Sequence, residues 1–175
     1  GKNNIVNNLV SRGVEVLRVP WDHEFEEDGK LDGVMLTNGP GDPKMCARTV
    51  HQLRRLLQRR IPIFGICLGH QLLSLAVGAD TYKLKYGHRS QNQPVIETGT
   101  NRCFITSQNH GFAVDANSLP EEWEAWFTNL NDNTNEGIRH RTLPVRSCQF
   151  HPEAAPGPVD TEYLFDEFVD VIKKG

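Results

Sequence analysis

The sequence lacks the features that would send it to a membrane, a nucleic acid or an oxidising compartment. No apolar run approaches the roughly twenty residues needed to cross a bilayer, so no membrane contact is expected. Positive charge is not in excess: 19 Lys and Arg against 22 Asp and Glu leave a net charge of −3, which gives nucleic acid no electrostatic footing. Cysteine is scarce, and Cys46, Cys67, Cys103 and Cys148 form neither a CxxC pair nor a metal-finger spacing. No disulfide framework and no metal are therefore expected, and the three cysteines other than Cys67 read as buried thiols in a reducing, cytoplasmic compartment. No GxxxxGK[ST] phosphate loop occurs, nor any internal repeat. What is present is 38% hydrophobic content in 175 residues, enough for one domain, 1–175, with a core of its own.

The patterning predicts an α/β fold: a doubly wound, mostly parallel sheet with helices on both faces and antiparallel additions. Strands are expected at Val14–Val19, Gly33–Thr37 and Ile61–Ile66, and helices at Cys46–Arg59 and Leu68–Val77. The first of these helices has its apolar stripe on Val50, Leu53, Leu56 and Leu57, and its Arg54, Arg55, Arg59 and Arg60 read as a solvated face. In the second half, Pro94–Glu97, Cys103–Thr106, Trp123–Asn129, Glu136–His140 and Val145–Phe150 read as short strands separated by turns such as Asn131-Asp132-Asn133. Asp160–Lys173 is predicted to close the chain as a helix burying Leu164, Phe165, Phe168, Val169 and Ile172. A helix is also expected over Asn4–Ser11, with Ile5, Val6, Leu9 and Val10 inward. No strand precedes it, so the expectation is a sheet lacking its first strand, with an open central slot.

Phe64-Gly65-Ile66-Cys67-Leu68-Gly69-His70-Gln71 carries the strongest chemical signal. An apolar strand, a thiol between two glycines and a following helix describe a nucleophile elbow with cysteine in the serine position. The helix start aims unpaired amides and a positive dipole end at the sulfur, an arrangement that favours thiolate. Gln149-Phe150-His151-Pro152-Glu153 supplies the rest: His151 leaves a strand at its carboxyl end as a candidate base, and Glu153, two residues on, shares its face and can orient it. His70 reads as a packing or positioning residue. His110, in Gln108-Asn109-His110-Gly111-Phe112, reads as lying on a loop that reaches the site without a neighbouring carboxylate, and His23, His51 and His140 have no catalytic context. For a developing oxyanion, donors can come from the Leu68 amide and from Asn38-Gly39-Pro40-Gly41-Asp42-Pro43, whose glycines and prolines fix an unusual backbone.

Together these motifs resemble the class I, triad type, glutamine amidotransferases, in the version found as the small subunit or glutaminase domain of carbamoyl-phosphate synthetase. The more selective segments are Asn38–Pro43, Gly87-His88-Arg89 leading to Gln91–Val95, Ser107–Val114 and His151–Pro158. The resemblance implies a flavodoxin-like fold, a triad of Cys67, His151 and Glu153, and oxyanion donors at the Gly39 and Leu68 amides. It implies glutamine contacts at Gly41, Leu68, Gln71, Asn109, Gly111 and Phe112. It further implies L-glutamine as substrate and a synthetase, as large subunit or fused domain, as partner. The domain itself would need no cofactor, while the partner uses ATP with Mg and bicarbonate. A separate amino-terminal domain of the family is absent from these residues. Two rival readings share parts of the chemistry: a glutaminase of another class I enzyme such as anthranilate synthase, and a γ-glutamyl hydrolase or cysteine peptidase. A third, a non-catalytic regulatory domain, sits poorly with three filled triad positions.

Overall fold

The computed structural model describes residues 2–25, 29–37, 39, 41–153 and 160–175. Asn38 and Pro40 of the glycine loop and residues 154–159 after the candidate base lie outside the described residues. In chain order the elements are α1 (Lys2–Val10), β1 (Val34–Leu36), α2 (Ala47–Leu57), β2 (Ile63–Ile66), α3 (Leu68–Ala76), β3 (Asp80–Glu97), β4 (Cys103–Asp115), β5 (Trp123–Asn129), β6 (Asn135–His140), β7 (Val145–Cys148) and α4 (Tyr163–Lys174).

The strands form one seven-stranded sheet in the order β1-β2-β7-β6-β5-β3-β4. β1–β2 and β2–β7 are parallel, and the four pairings from β7 to β4 are antiparallel, so the antiparallel part is larger than the sequence suggests. α1 and α4 cover one face and α2 and α3 the other, which makes two apolar layers. β2 is buried along its whole length because both layers press on it, Phe64 and Ile66 into one and Ile63 into the other. α2 buries Val50, Leu53 and Leu56, and α4 buries Leu164, Phe165, Phe168 and Val169, as the helical spacing predicts. Each such side chain contributes roughly 1.5–3 kcal/mol on burial.

Several expectations need correction. Val14–Val19 is not a strand: it runs beside an apolar cleft of about 290 Å³ that separates it from β1, and it has no ladder partner among the described residues. β-branched residues favour strand only where a neighbouring backbone accepts their hydrogen bonds. Val10 is 55% exposed, so α1 buries Ile5 and Leu9 on a narrower stripe. Residues 80–93 and 107–115 belong to the long hairpin β3–β4, whose two register shifts break the alternation that would have revealed it. Of the three other thiols only Cys148 is buried; Cys46 is half-buried and Cys103 exposed.

α3 packs directly on the sheet because two glycines let it. A Cβ on Gly69 would stand 2.7 Å from the Leu36 carbonyl carbon and Cβ in β1, and one on Gly65 would stand 2.8 Å from the Gly69 carbonyl oxygen. Backbone cannot yield as a flexible side chain can. Gly69→Ala is therefore expected to destabilise the protein by about 1–3 kcal/mol in urea unfolding, whereas Gly29→Ala, with no atom within 4 Å of the new methyl, stays near neutral.

Candidate active site

β2 ends at Ile66 and α3 begins at Leu68, so the entire reversal falls on Cys67, which adopts φ 55° and ψ −108°. A non-glycine residue at positive φ is strained by about 1–3 kcal/mol and persists only when its surroundings hold it. Here the Cys67 N–H donates to the Cys148 carbonyl at 3.0 Å, and the Cys67 carbonyl accepts from the Gln71 N–H at 3.2 Å. The first of these bonds extends the parallel β2–β7 pairing, in which Ile66 lies opposite Cys148. β7 therefore delivers its following residues to the sulfur. The backbone passes through Gln149, whose N–H is held by the Glu136 carbonyl, to His151, whose N–H is held by the Ser107 carbonyl.

His151 and Cys67 line the same cavity, near enough for the sulfur to act on the ring's titration. His151 Nδ1 lies 2.7 Å from Glu153 Oε1, with the carboxylate buried behind it. The Cys67 sulfur also lies 3.9 Å from the Asn109 carbonyl and 3.8 Å from Gln149 Nε2. Gln71 Nε2 donates to the Phe112 carbonyl at 2.9 Å and to Gln149 Oε1 at 3.0 Å. In front of the sulfur opens a cavity of about 600 Å³ lined by Gly39, Gly41, Cys67, Gln71, Asn109, Gly111, Phe112 and His151. Leu68 and Glu153 complete the sequence-derived set at one remove. Leu68 is the first residue of α3 and packs close to Gly39, and Glu153 backs the ring.

The chain matches the family described as glutamine amidotransferase class-I over residues 1–171. It belongs to that family. Over 175 residues it is 54% identical to the carbamoyl phosphate synthase arginine-specific small chain of Aspergillus oryzae, covering 99% of this chain and 39% of that protein. It is 53% identical over 174 residues to the protein of the same name from Candida albicans, covering 98% of this chain and 40% of the relative. Against the multifunctional protein pyrABCN of Emericella nidulans the identity is 56% over 168 residues, 94% of this chain and 7% of that one. The chain thus spans about two-fifths of the length of the small-chain relatives. A crystal structure described as that of a GMP synthase component from Thermoplasma acidophilum superimposes with a TM-score of 0.83 at 23% identity, over 99% of this chain and 88% of that one. That likeness establishes the fold, the flavodoxin-like α/β class expected from the sequence.

Within this amidotransferase domain the histidines divide by electrostatics. Burial pulls the His151 pKa down, but hydrogen bonds to Cys67 and Glu153, with their charges, outweigh it and push it up to about 10. The ring is then an imidazolium at neutral pH. His70 is fully buried against Ser147 Oγ at 2.6 Å, and its pKa falls to about 3 through burial and then the His110 charge, which leaves it neutral and in a positioning role. His110 is on β4 rather than a loop, and burial lowers its pKa to about 4.

Sequence reasoning missed several residues of the site. Asp42, Lys83 and Arg89 also line the cavity, beside His110, which the sequence does place near the site, and Gln149 touches the sulfur. Gln149 was within reach, since it stands two residues before His151 in the same segment. Lys83 and Arg89 were hidden by the unread strand β3.

Because the folded His151 pKa lies above its ordinary value of 6.5, the charged ring's contribution to stability is complete below that value and is lost as pH rises through about 10. Glu153→Gln removes one of the two groups that hold the proton. An NMR titration of His151 is expected to show the midpoint falling by about one unit or more in that variant, and an unchanged midpoint would remove Glu153 from the role of proton holder.

Proposed function

We propose that this domain hydrolyses L-glutamine to glutamate and ammonia through a Cys67 thioester, and hands the ammonia to a synthetase that makes carbamoyl phosphate. The observation that carries the reading is the meeting of Cys67 and His151 on one cavity at the shared carboxyl end of the parallel strands β2 and β7, with Glu153 behind the ring. Its size suits a small molecule, and its wall offers main-chain groups of Gly39, Gly41, Asn109, Gly111 and Phe112 together with charges of both signs on Asp42, Lys83 and Arg89. Those are the groups that a zwitterion carrying an amide requires.

In the proposed reaction His151 holds the proton of Cys67, and the sulfur attacks the side-chain amide carbon of glutamine. The carbonyl oxygen becomes an oxyanion opposite the amides of Gly39 and Leu68. Loss of one such donor costs about 3–4 kcal/mol of transition-state stabilisation in comparable sites. As the tetrahedral intermediate collapses, the C–N bond breaks, His151 gives its proton to the departing nitrogen, and ammonia leaves a γ-glutamyl thioester on Cys67. Water then attacks the thioester, His151 takes its proton and returns it to the sulfur, and glutamate departs. Glu153 keeps the imidazole oriented through both halves. ATP, with Mg, and bicarbonate belong to the partner in this proposal.

Relatives named both as an arginine-specific small chain and as a multifunctional pyrABCN protein support carbamoyl phosphate as the shared product and leave either supply route open. We further propose a cytoplasmic location, supported by four free cysteines. No described helix is long and apolar enough to cross a membrane.

Cys67→Ser in the complete protein, assembled with its synthetase, is expected to abolish glutamine-dependent carbamoyl phosphate formation and to leave ammonia-dependent formation largely intact; loss of both rates would contradict the division of labour. The glutamine analogue 6-diazo-5-oxo-L-norleucine is expected to label Cys67 alone, as read by peptide mass spectrometry, although Cys103 is the exposed thiol. Labelling that follows exposure, or turnover of γ-glutamyl peptides in preference to glutamine, would favour a peptidase.

A further inference from the structure

Gln149 is a buried residue beside the nucleophile to which the proposed reaction gives no task. It stands two residues before His151 on the exit from β7 and is fully buried, while Phe150 between them turns into the apolar core. Its N–H is held by the Glu136 carbonyl at 2.8 Å. A polar side chain in such a place is costly unless both ends of its amide are bonded. Here the site itself engages both ends: Gln149 Oε1 lies 3.0 Å from Gln71 Nε2, and Gln149 Nε2 lies 3.8 Å from the Cys67 sulfur.

Which end of the amide faces the sulfur follows from the chain of partners. The Phe112 carbonyl can only accept, so the Gln71 atom 2.9 Å from it is the nitrogen. The second hydrogen of that nitrogen goes to Gln149, which must offer its oxygen there. The NH2 end of Gln149 is then turned to the sulfur. A flipped amide would set two NH2 groups against each other and leave the sulfur facing a carbonyl oxygen.

We propose that Gln149 is a catalytic residue whose side-chain N–H donates to the Cys67 sulfur whenever that atom carries negative charge. The proposal rests on Cys67 being the nucleophile. Sulfur carries the charge twice in the reaction: before it attacks the amide carbon of glutamine, and again after water has added to the thioester, when the C–S bond breaks and its electron pair returns to sulfur ahead of the proton from His151. A fixed donor therefore raises the share of nucleophilic sulfur before attack and assists its departure afterwards. Hydrogen bonds to reacting atoms are commonly long in resting enzymes and tighten as the reaction proceeds, which suits the 3.8 Å contact.

The neighbouring groups do not duplicate this donor. The Asn109 carbonyl, 3.9 Å from the sulfur, can only accept. Burial keeps the Cys148 thiol neutral, with its pKa well above the ordinary value, and its sulfur lies 3.5 Å from the Phe150 carbonyl. His110 is neutral, because burial lowers its pKa to about 4. Behind it, His88 has Nε2 2.6 Å from Asp132 Oδ2 and Nδ1 3.3 Å from Glu136 Oε1. Hydrogen bonding to Glu136 raises the His88 pKa, burial opposes it, and Asp132 adds to the rise, which reaches about 9. That charge is held by two carboxylates and is not at the sulfur's disposal. His151 is charged, but the same ring must surrender its proton to the leaving nitrogen. The Gln149 amide donates without titrating.

The test uses the complete protein with its synthetase partner and two variants. Gln149→Met keeps the approximate volume and removes both ends of the amide. Gln149→Glu keeps the oxygen that Gln71 needs and replaces the donor by a second oxygen, in a carboxyl that the adjacent His151 imidazolium holds ionised. Two rates are read at neutral pH: glutamine hydrolysis, and alkylation of Cys67 by iodoacetamide, followed by peptide mass spectrometry. The reagent is small, uncharged and independent of the glutamine contacts. Loss of a hydrogen bond to a charged group predicts that kcat and the alkylation rate each fall about tenfold to a hundredfold in both variants, with the KM for glutamine within about threefold in Gln149→Glu. Ammonia-dependent synthesis is expected to be unchanged. Should Gln149→Met not fold, the isosteric Gln149→Glu carries both readouts. Alkylation at the wild-type rate, a rise in KM alone, or wild-type rates in Gln149→Glu would each overturn the proposal, the last because it would leave Gln149 with no task beyond holding Gln71. If the wild type does not hydrolyse glutamine, the functional reading fails, and the alkylation rates still judge the donor by themselves.

Discussion

The contact between α3 and the sheet at Gly65 and Gly69 is the constraint on which the site depends. Because neither position carries a side chain, the helix starts one residue after β2 ends, and the whole change of direction falls on Cys67. The strain of that backbone is offset by its hydrogen bonds, above all the one from the Cys67 N–H to the Cys148 carbonyl. That bond also ties the end of β2 to the end of β7, the strand that leads to His151. Holding the nucleophile in its strained conformation and bringing the base to it are therefore one interaction seen from two sides. Displacing α3 would relax Cys67 and loosen the register that presents the imidazole.

The parts of the fold legible in the sequence were those governed by local patterning. The stripes of α2 and α4, the strands β2 and β5 and the elbow around Cys67 each follow from spacing that a single segment displays. Position 133 in the predicted turn takes φ 62°, a conformation that asparagine accepts more readily than most residues. What could not be read depended on partners elsewhere. Val14–Val19 has strand-forming composition but no paired backbone among the described residues, while the polar stretch from His88 to Gln93 has weak composition and β4 to pair with. Pairing decided both cases.

The same division applies to the site. Cys67, His151 and Glu153 announce themselves because each sits in a short segment whose neighbours explain it. The cluster of His88, His110, Asp132 and Glu136 has no such signature, since its members come from β3, β4, the β5–β6 turn and β6, and only the antiparallel pairing of these strands assembles them. His110 looked isolated from carboxylates because no acidic residue is near it in sequence. In space two carboxylates reach it through one intervening ring.

The two imidazolium groups must be kept from disturbing each other, and His110 between them is the means. Burial does most of the work of keeping it neutral, and the charges of His88 and His151 on its two sides act in the same direction. Each charged ring has its own acidic partner, Glu153 for His151 and Asp132 with Glu136 for His88, so neither borrows charge from the other. Were His110 charged, it would repel the His151 proton that the leaving nitrogen needs. A buried neutral ring thus keeps apart two charged ones, each held by its own acidic partner.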